Sequence, residues 1–156
     1  LQLLSPIPGT LRNLAELSDP VFAQEIMGPG FAIIPDEVDT LEILAPTAGK
    51  LSHQLPHACA LTTPDGLNIL IHAGIDTVQV KGEGFSALHQ LGQQVAAGEP
   101  LITWDLRPAR QAGYALDVVV IAMQPPPTLC ELLTASGSRL DALVPCADVR
   151  RAPKSS

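Results

Sequence analysis

Aromatic side chains are scarce in this sequence: three Phe, one Tyr and one Trp make up 3% of 156 residues. With 46% of residues hydrophobic, Val, Ile, Leu and Ala must fill the interior. Basic charge is also short. Nine Lys and Arg stand against sixteen Asp and Glu, a net charge of −7. Without a basic stripe to release counterions from phosphates, a nucleic-acid partner is not expected. An acidic surface tolerates a basic protein partner instead. No uncharged apolar run reaches the roughly 18 residues that suggest a membrane span, so direct membrane insertion is not expected either. The opening LQLLSPIPGT lacks the basic region and apolar core of a signal peptide, and the missing Met points to a processed chain or a fragment. Cys59, Cys130 and Cys146 form an odd set without CxxC spacing, which fits a reducing, cytoplasmic setting.

What is present is strand-like. The length suits one domain with a real core. Short apolar runs recur at 31–34, 41–44, 50–55, 57–62, 67–72, 77–81, 100–105 and 115–122. Pro and Gly punctuate nearly every gap, as in an all-β domain with tight turns. Two stretches read as helical. In Asp19-Pro20-Val21-Phe22-Ala23 an N-cap aspartate precedes proline at the first helical position. Phe85, Leu88 and Leu91 follow the i, i+3, i+6 spacing of a short amphipathic turn. Pro125-Pro126-Pro127 ends the last expected strand. Residues 125–156 then read as a C-terminal tail, carrying a short hairpin or helix, or as a linker toward a further domain. Residues 150–156 are expected to be disordered.

The run that carries chemistry is LIHAGIDTVQVKGEGF, from Leu70 to Phe85, where a histidine interrupts an apolar strand. Upstream, Thr63-Pro64-Asp65-Gly66 is a hairpin signal: Pro sets φ, Asp favours the next position and Gly accepts a left-handed backbone. A two-residue loop there places His57 directly opposite His72, Cβ atoms roughly 5 Å apart. A type I turn with a glycine bulge shifts the register by one and sends the rings to opposite faces, unless a second irregularity compensates. Two close imidazoles resist double protonation, so at least one stays neutral near pH 7. A neutral imidazole is a competent nucleophile, and a neighbouring N–H stabilises an anion delivered to it. Two histidines fall short of the three or four ligands zinc takes, and no HxH or HExxH is present, so no metal is expected. His53 and His89 read as solvated, Trp104 as core or rim, and Lys81 and Glu83 as exposed loop charges.

The stretch His72-Ala73-Gly74-Ile75-Asp76-Thr77-Val78, followed by Lys81-Gly82-Glu83-Gly84-Phe85, resembles the phosphorylation-site signature of the glucose-type IIA domain of the bacterial sugar phosphotransferase system. Ser18 to Ala23, Ala45-Pro46-Thr47-Ala48-Gly49, Pro56-His57-Ala58 and Gly92 to Gly98 resemble further family motifs, in order. The similarity runs from about Ser5 to Met123. It implies an all-β antiparallel sandwich or barrel with a few short helices, of the duplicated hybrid motif type, and divides the chain into a IIA domain at 1–124 and a tail or linker at 125–156. It implies a phosphotransferase component that needs no cofactor. His72 matches the histidine that accepts a phosphoryl group from the phosphocarrier HPr and passes it to a cysteine of a IIB domain, for sugar uptake. His57 matches the histidine that bonds the phosphoryl oxygens. Asp19 and Asp76 match flanking acids, and Val21, Phe22, Met27 and Val78 match an apolar collar that docks partners. Departures stand at Leu55, where the family usually has a threonine that orients an active-site histidine, at Pro56, and at Pro29 within Gly28-Pro29-Gly30.

Other readings make distinct demands. A regulatory module of the same fold, binding targets according to phosphorylation state, needs the collar but no onward transfer. A zinc peptidase of related architecture needs the missing HxH pair. A biotinyl or lipoyl carrier needs a lysine at a hairpin tip, which is also missing. Because related domains are often fused, the chain is expected to be the N-terminal part of a multiphosphoryl transfer protein.

Overall fold

The computed structural model describes residues 1–153. β1 (Gln2–Leu4) and β2 (Gly9–Asn13) open the chain, and a 3-10 turn at Leu14–Glu16 and α1 (Pro20–Ala23) lead to β3 (Gly30–Pro35). Next come β4 (Thr40–Leu44), β5 (Gly49–Leu55), β6 (Ala58–Thr62), β7 (Asn68–Ala73), a second 3-10 turn at Thr77–Val80, and β8 (Phe85–Ala87). They are followed by β9 (Gln94–Val95), β10 (Pro100–Asp105), α2 (Arg107–Gln111), β11 (Val118–Ala122), β12 (Thr128–Leu132), β13 (Arg139–Leu140) and β14 (Pro145–Arg151). All strand pairings are antiparallel. Eight strands form one long sheet in the order β13-β2-β3-β11-β7-β6-β5-β9, and two three-stranded sheets, β4-β10-β8 and β1-β14-β12, accompany it. The architecture is the expected antiparallel β-sandwich with few short helices.

Strand alternation sorts the side chains of the long sheet onto two faces. Ile69, Ile71 and Ala73 of β7, with Val118 and Val120 of β11, enter the main core beside Phe31, Leu101 and Trp104. The intervening residues Leu70, Val119 and Ile121 face the other way, into a smaller cluster with Leu14, Leu17, Phe22 and Ile75. β11 is thus buried on both faces, and its run Val118-Val119-Val120-Ile121-Ala122 carries no polar residue. His72 lies at the rim of the smaller cluster.

Four local expectations are corrected. Residues 77–81, expected as a strand, instead hold a 3-10 turn at Thr77–Val80 bracketed by left-handed Asp76 and Lys81, conformations a strand cannot contain. Phe85, Leu88 and Leu91 do not line a helical face: Phe85 pairs with Trp104 in a strand, and Leu88 and Leu91 are 44% and 63% exposed. In the segment read as a tail or linker, β14 pairs with both β1 and β12, and β13 pairs with β2. Residues 128–151 are therefore built into the same sheets. Arg150 and Arg151, read as disordered, pair with Leu129 and Thr128; the remainder of that expectation, at 154–156, lies outside the described residues. α2 had no counterpart in the sequence reading.

Candidate functional site

The hairpin between β6 and β7 takes the bulged form. Gly66 N–H donates to the Thr63 carbonyl at 2.9 Å and Thr63 N–H to the Leu67 carbonyl at 2.8 Å, with Gly66 at φ 88°. The loop holds three residues, as glycine at the left-handed position favours. Ala58, not His57, stands opposite His72, and the expectation of a direct cross-strand pair is corrected. The compensation comes one hairpin earlier. Leu55 pairs with Ala58, leaving Pro56 and His57 as a two-residue turn. Outside the strand, His57 escapes alternation and swings toward His72. The ring centroids lie 4.8 Å apart, edge to face at 78°.

His72 is partly exposed at the end of β7. Its Nδ1 sits 2.7 Å from the Gly74 carbonyl oxygen. A carbonyl only accepts, so Nδ1 carries the proton and Nε2 keeps its lone pair. Gly74, at φ 78°, is fixed by its N–H donating to the Asp117 carbonyl at 2.8 Å. Burial pushes the His72 pKa down; the Gly74 bond pulls it back up, the charge of His57 lowers it further, and Asp19 and Asp76 raise it by charge. The balance is downward. Burial also lowers the pKa of His57, which is 7% exposed. Both rings are therefore neutral near pH 7.

Asp19 caps α1, its side chain accepting from Val21 N–H at 2.8 Å, with Pro20 following as the sequence indicates. Asp76 is exposed and left-handed at the start of the second 3-10 turn. Val21 and Val78 are 41% and 55% exposed. Met27 is half-buried against the smaller cluster. Phe22 is buried, its ring 5.4 Å from that of His72, so it forms the floor of the site and not its rim. Ile26, 64% exposed, is an apolar residue one position before Met27 that the sequence reading passed over. Gly74 was also missed as the His72 acceptor: the bond uses a main-chain oxygen, which leaves no mark in a sequence.

The remaining candidates lie apart from this chemistry. His53 is exposed, and His89 Nε2 is 3.4 Å from Glu99. Trp104 is fully buried, and Lys81 and Glu83 are exposed. Burial pushes the thiols of Cys59 and Cys146 up to about 12 and that of Cys130 up to about 11, values that suppress the nucleophilic thiolate. A cleft of about 400 Å³ is lined by Asn13, Leu14, Glu25 and Cys130; neither histidine lines it.

The fold and site define a β-sandwich protein that presents two neutral, adjacent imidazoles beside exposed apolar side chains. The chain belongs to the phosphoenolpyruvate-dependent sugar phosphotransferase system EIIA 1 family, whose model matches residues 1–126. It is 40% identical over 119 residues to the PTS system beta-glucoside-specific EIIBCA component of Bacillus subtilis, covering 75% of this chain and 19% of that protein. It is 40% identical over 108 residues to the PTS system glucose-specific EIIA component of Staphylococcus aureus, covering 68% of this chain and 63% of the relative. The match thus spans less than two thirds of either relative. Glucose permease IIA from Mycoplasma capricolum has a similar structure, with a TM-score of 0.81 and 31% identity over 96% of this chain and 94% of that one.

Proposed function

We propose that this chain is a phosphoryl carrier of the sugar phosphotransferase system, working in the cytoplasm. His72 Nε2 accepts the phosphoryl group from phosphorylated HPr and passes it to a cysteine of a IIB domain. The observation that carries the reading is the Nδ1–H to Gly74 bond, which leaves a neutral ring with one free nitrogen. In the first step the Nε2 lone pair forms a bond to phosphorus, and the donor nitrogen departs with the electron pair of its breaking P–N bond. In the second, a IIB thiolate attacks phosphorus and Nε2 recovers its pair. Such transfers rest on positioning and charge stabilisation, which fixed imidazoles supply. His57 donates to the phosphoryl oxygens in this scheme.

Val21, Met27 and Val78 contribute apolar contact area for both partners, over the Phe22 floor. Asp19 and Asp76 steer basic partner residues, contributing more to encounter rate than to affinity. The unit assigned to this role is 1–124 together with the strands of 128–151 that join its sheets.

The test is incubation with phosphorylated HPr followed by intact-mass measurement. Wild type gains one acid-labile phosphate and discharges it to IIB; His72→Gln gains none; His57→Gln gains it and fails to pass it on. A wild type that never takes up phosphate overturns the carrier role and leaves a regulatory binding module.

A further inference from the structure

Among the described residues the histidine pair makes one ring hydrogen bond, and it belongs to His72. The position from which a family threonine would orient an active-site histidine holds Leu55, which is 56% exposed and has no polar side-chain atom. The orientation of His57 therefore comes from packing. One neighbour is the His72 ring itself. A second is Phe85, whose centroid lies 6.3 Å from that of His57 at 65°, an edge-to-face arrangement within the favourable range.

Phe85 is in turn fixed from behind. It stacks on Trp104 at 5.4 Å and 16° and pairs with it across β8 and β10, while Trp104 is fully buried in the main core. The loop leading to Phe85 meets the same turn at a second point: a Cβ on Gly82 would lie 3.3 Å from the Pro56 ring. Next to this, Asp105 N–H donates to the Gly84 carbonyl at 2.7 Å. Thus the Pro56–His57 turn rests on the segment 82–85, and that segment rests on β10. We propose that Phe85 is the positioning residue for His57, transmitting the rigidity of the core to an imidazole that no hydrogen bond holds. Phe85 does not contact the transferred group; it acts through His57. The inference rests on the carrier reading for its kinetic consequence, but not for its structural one.

The experiment compares wild type, Phe85→Leu and Phe85→Tyr in two measurements. The first is the pair of half-reactions, uptake from phosphorylated HPr and discharge to IIB. Phe85→Leu should slow discharge about tenfold, the scale of one aromatic pair, and leave uptake within about twofold; Phe85→Tyr, which keeps the ring, should restore discharge. Equal loss in both half-reactions, or loss in neither, overturns the proposal, because a general disturbance would not single out the step that uses His57. The second is NMR relaxation of the histidine ring carbons in the unphosphorylated protein. Here Phe85→Leu should loosen His57 and not His72, and an unchanged His57 ring overturns the proposal by itself. If His57 loosens while wild type never takes up phosphate, positioning by Phe85 stands and the carrier reading falls.

Discussion

The two histidines of the site are held in opposite ways. His72 closes a central strand, flanked by β6 and β11, and its Nδ1 is committed to the carbonyl of Gly74, whose own N–H donates to the Asp117 carbonyl. His57 sits in a two-residue turn; its carbonyl accepts from Ala73 N–H at 2.8 Å, but its ring is kept in place by the faces and edges of other rings. The difference suits the division of labour proposed above for the two rings. A nucleophile must present one nitrogen in one tautomer, and a hydrogen bond to the other nitrogen enforces this. A group that follows a phosphoryl oxygen through transfer benefits from fixed position with either nitrogen free to donate, and packing supplies that without choosing a tautomer.

The comparison can be broken one side at a time. The largest effect is expected at Gly74. A Cβ there would lie 2.4 Å from Thr77 Cγ2 and 3.0 Å from the Ala115 carbonyl, at φ +78°. Gly74→Ala should cost about 2–4 kcal/mol, read as a lowered urea midpoint, and should displace the His72 acceptor. Gly82→Ala is the matched change beneath His57: φ is +83°, but the nearest contact is the Pro56 ring at 3.3 Å. It should cost about 1–2 kcal/mol and disturb the His57 ring while sparing that of His72. Equal costs at the two glycines would mean that the turns are equally rigid, and the contrast would fail.

The smallest expected effect is on pH dependence. Both imidazoles have pKa values below the ordinary 6.5, chiefly through burial. As pH falls, the unfolded chain therefore takes up protons before the folded one. The stabilising contribution is complete above about 6.5 and is lost as pH drops through that value toward the folded pKa values. Urea midpoints should decline as pH drops below about 6.5, and His72→Gln and His57→Gln should each flatten the decline. A slope unaltered in both variants would show that other groups cause it.

Legibility in the sequence followed the range of the interaction. Asp19 and Pro20 were readable because capping is local chemistry, complete within four residues. The position of the Thr63–Gly66 turn was readable for the same reason, but its register was not. A single backbone angle at Gly66 chooses between a two- and a three-residue loop, and everything downstream shifts with it. The histidine pair survived that error because Pro56–His57 is a turn and not a strand, a second irregularity that periodicity does not reveal. Phe85, Leu88 and Leu91 misled because three apolar residues at helical spacing need not share a face. β12–β14 stayed hidden because Gly, Ser and Pro dilute their pattern and because β2 and β1, the partners of β13 and β14, lie more than a hundred residues away in the chain.

That last separation bears on how the protein is made. β14 lies between β1 and β12 in its sheet, yet more than a hundred residues separate it from its partner β1, so β1 leaves the ribosome well before it. Strands β3, β7 and β11, which carry the floor of the histidine site, are all synthesised before Met123 and can pair while translation continues. β1 has no such neighbour and waits with an open edge, a surface that invites pairing with other chains. The strands beneath the site are thus made before β14, and the seam that protects β1 from intermolecular pairing closes only once β14 has emerged.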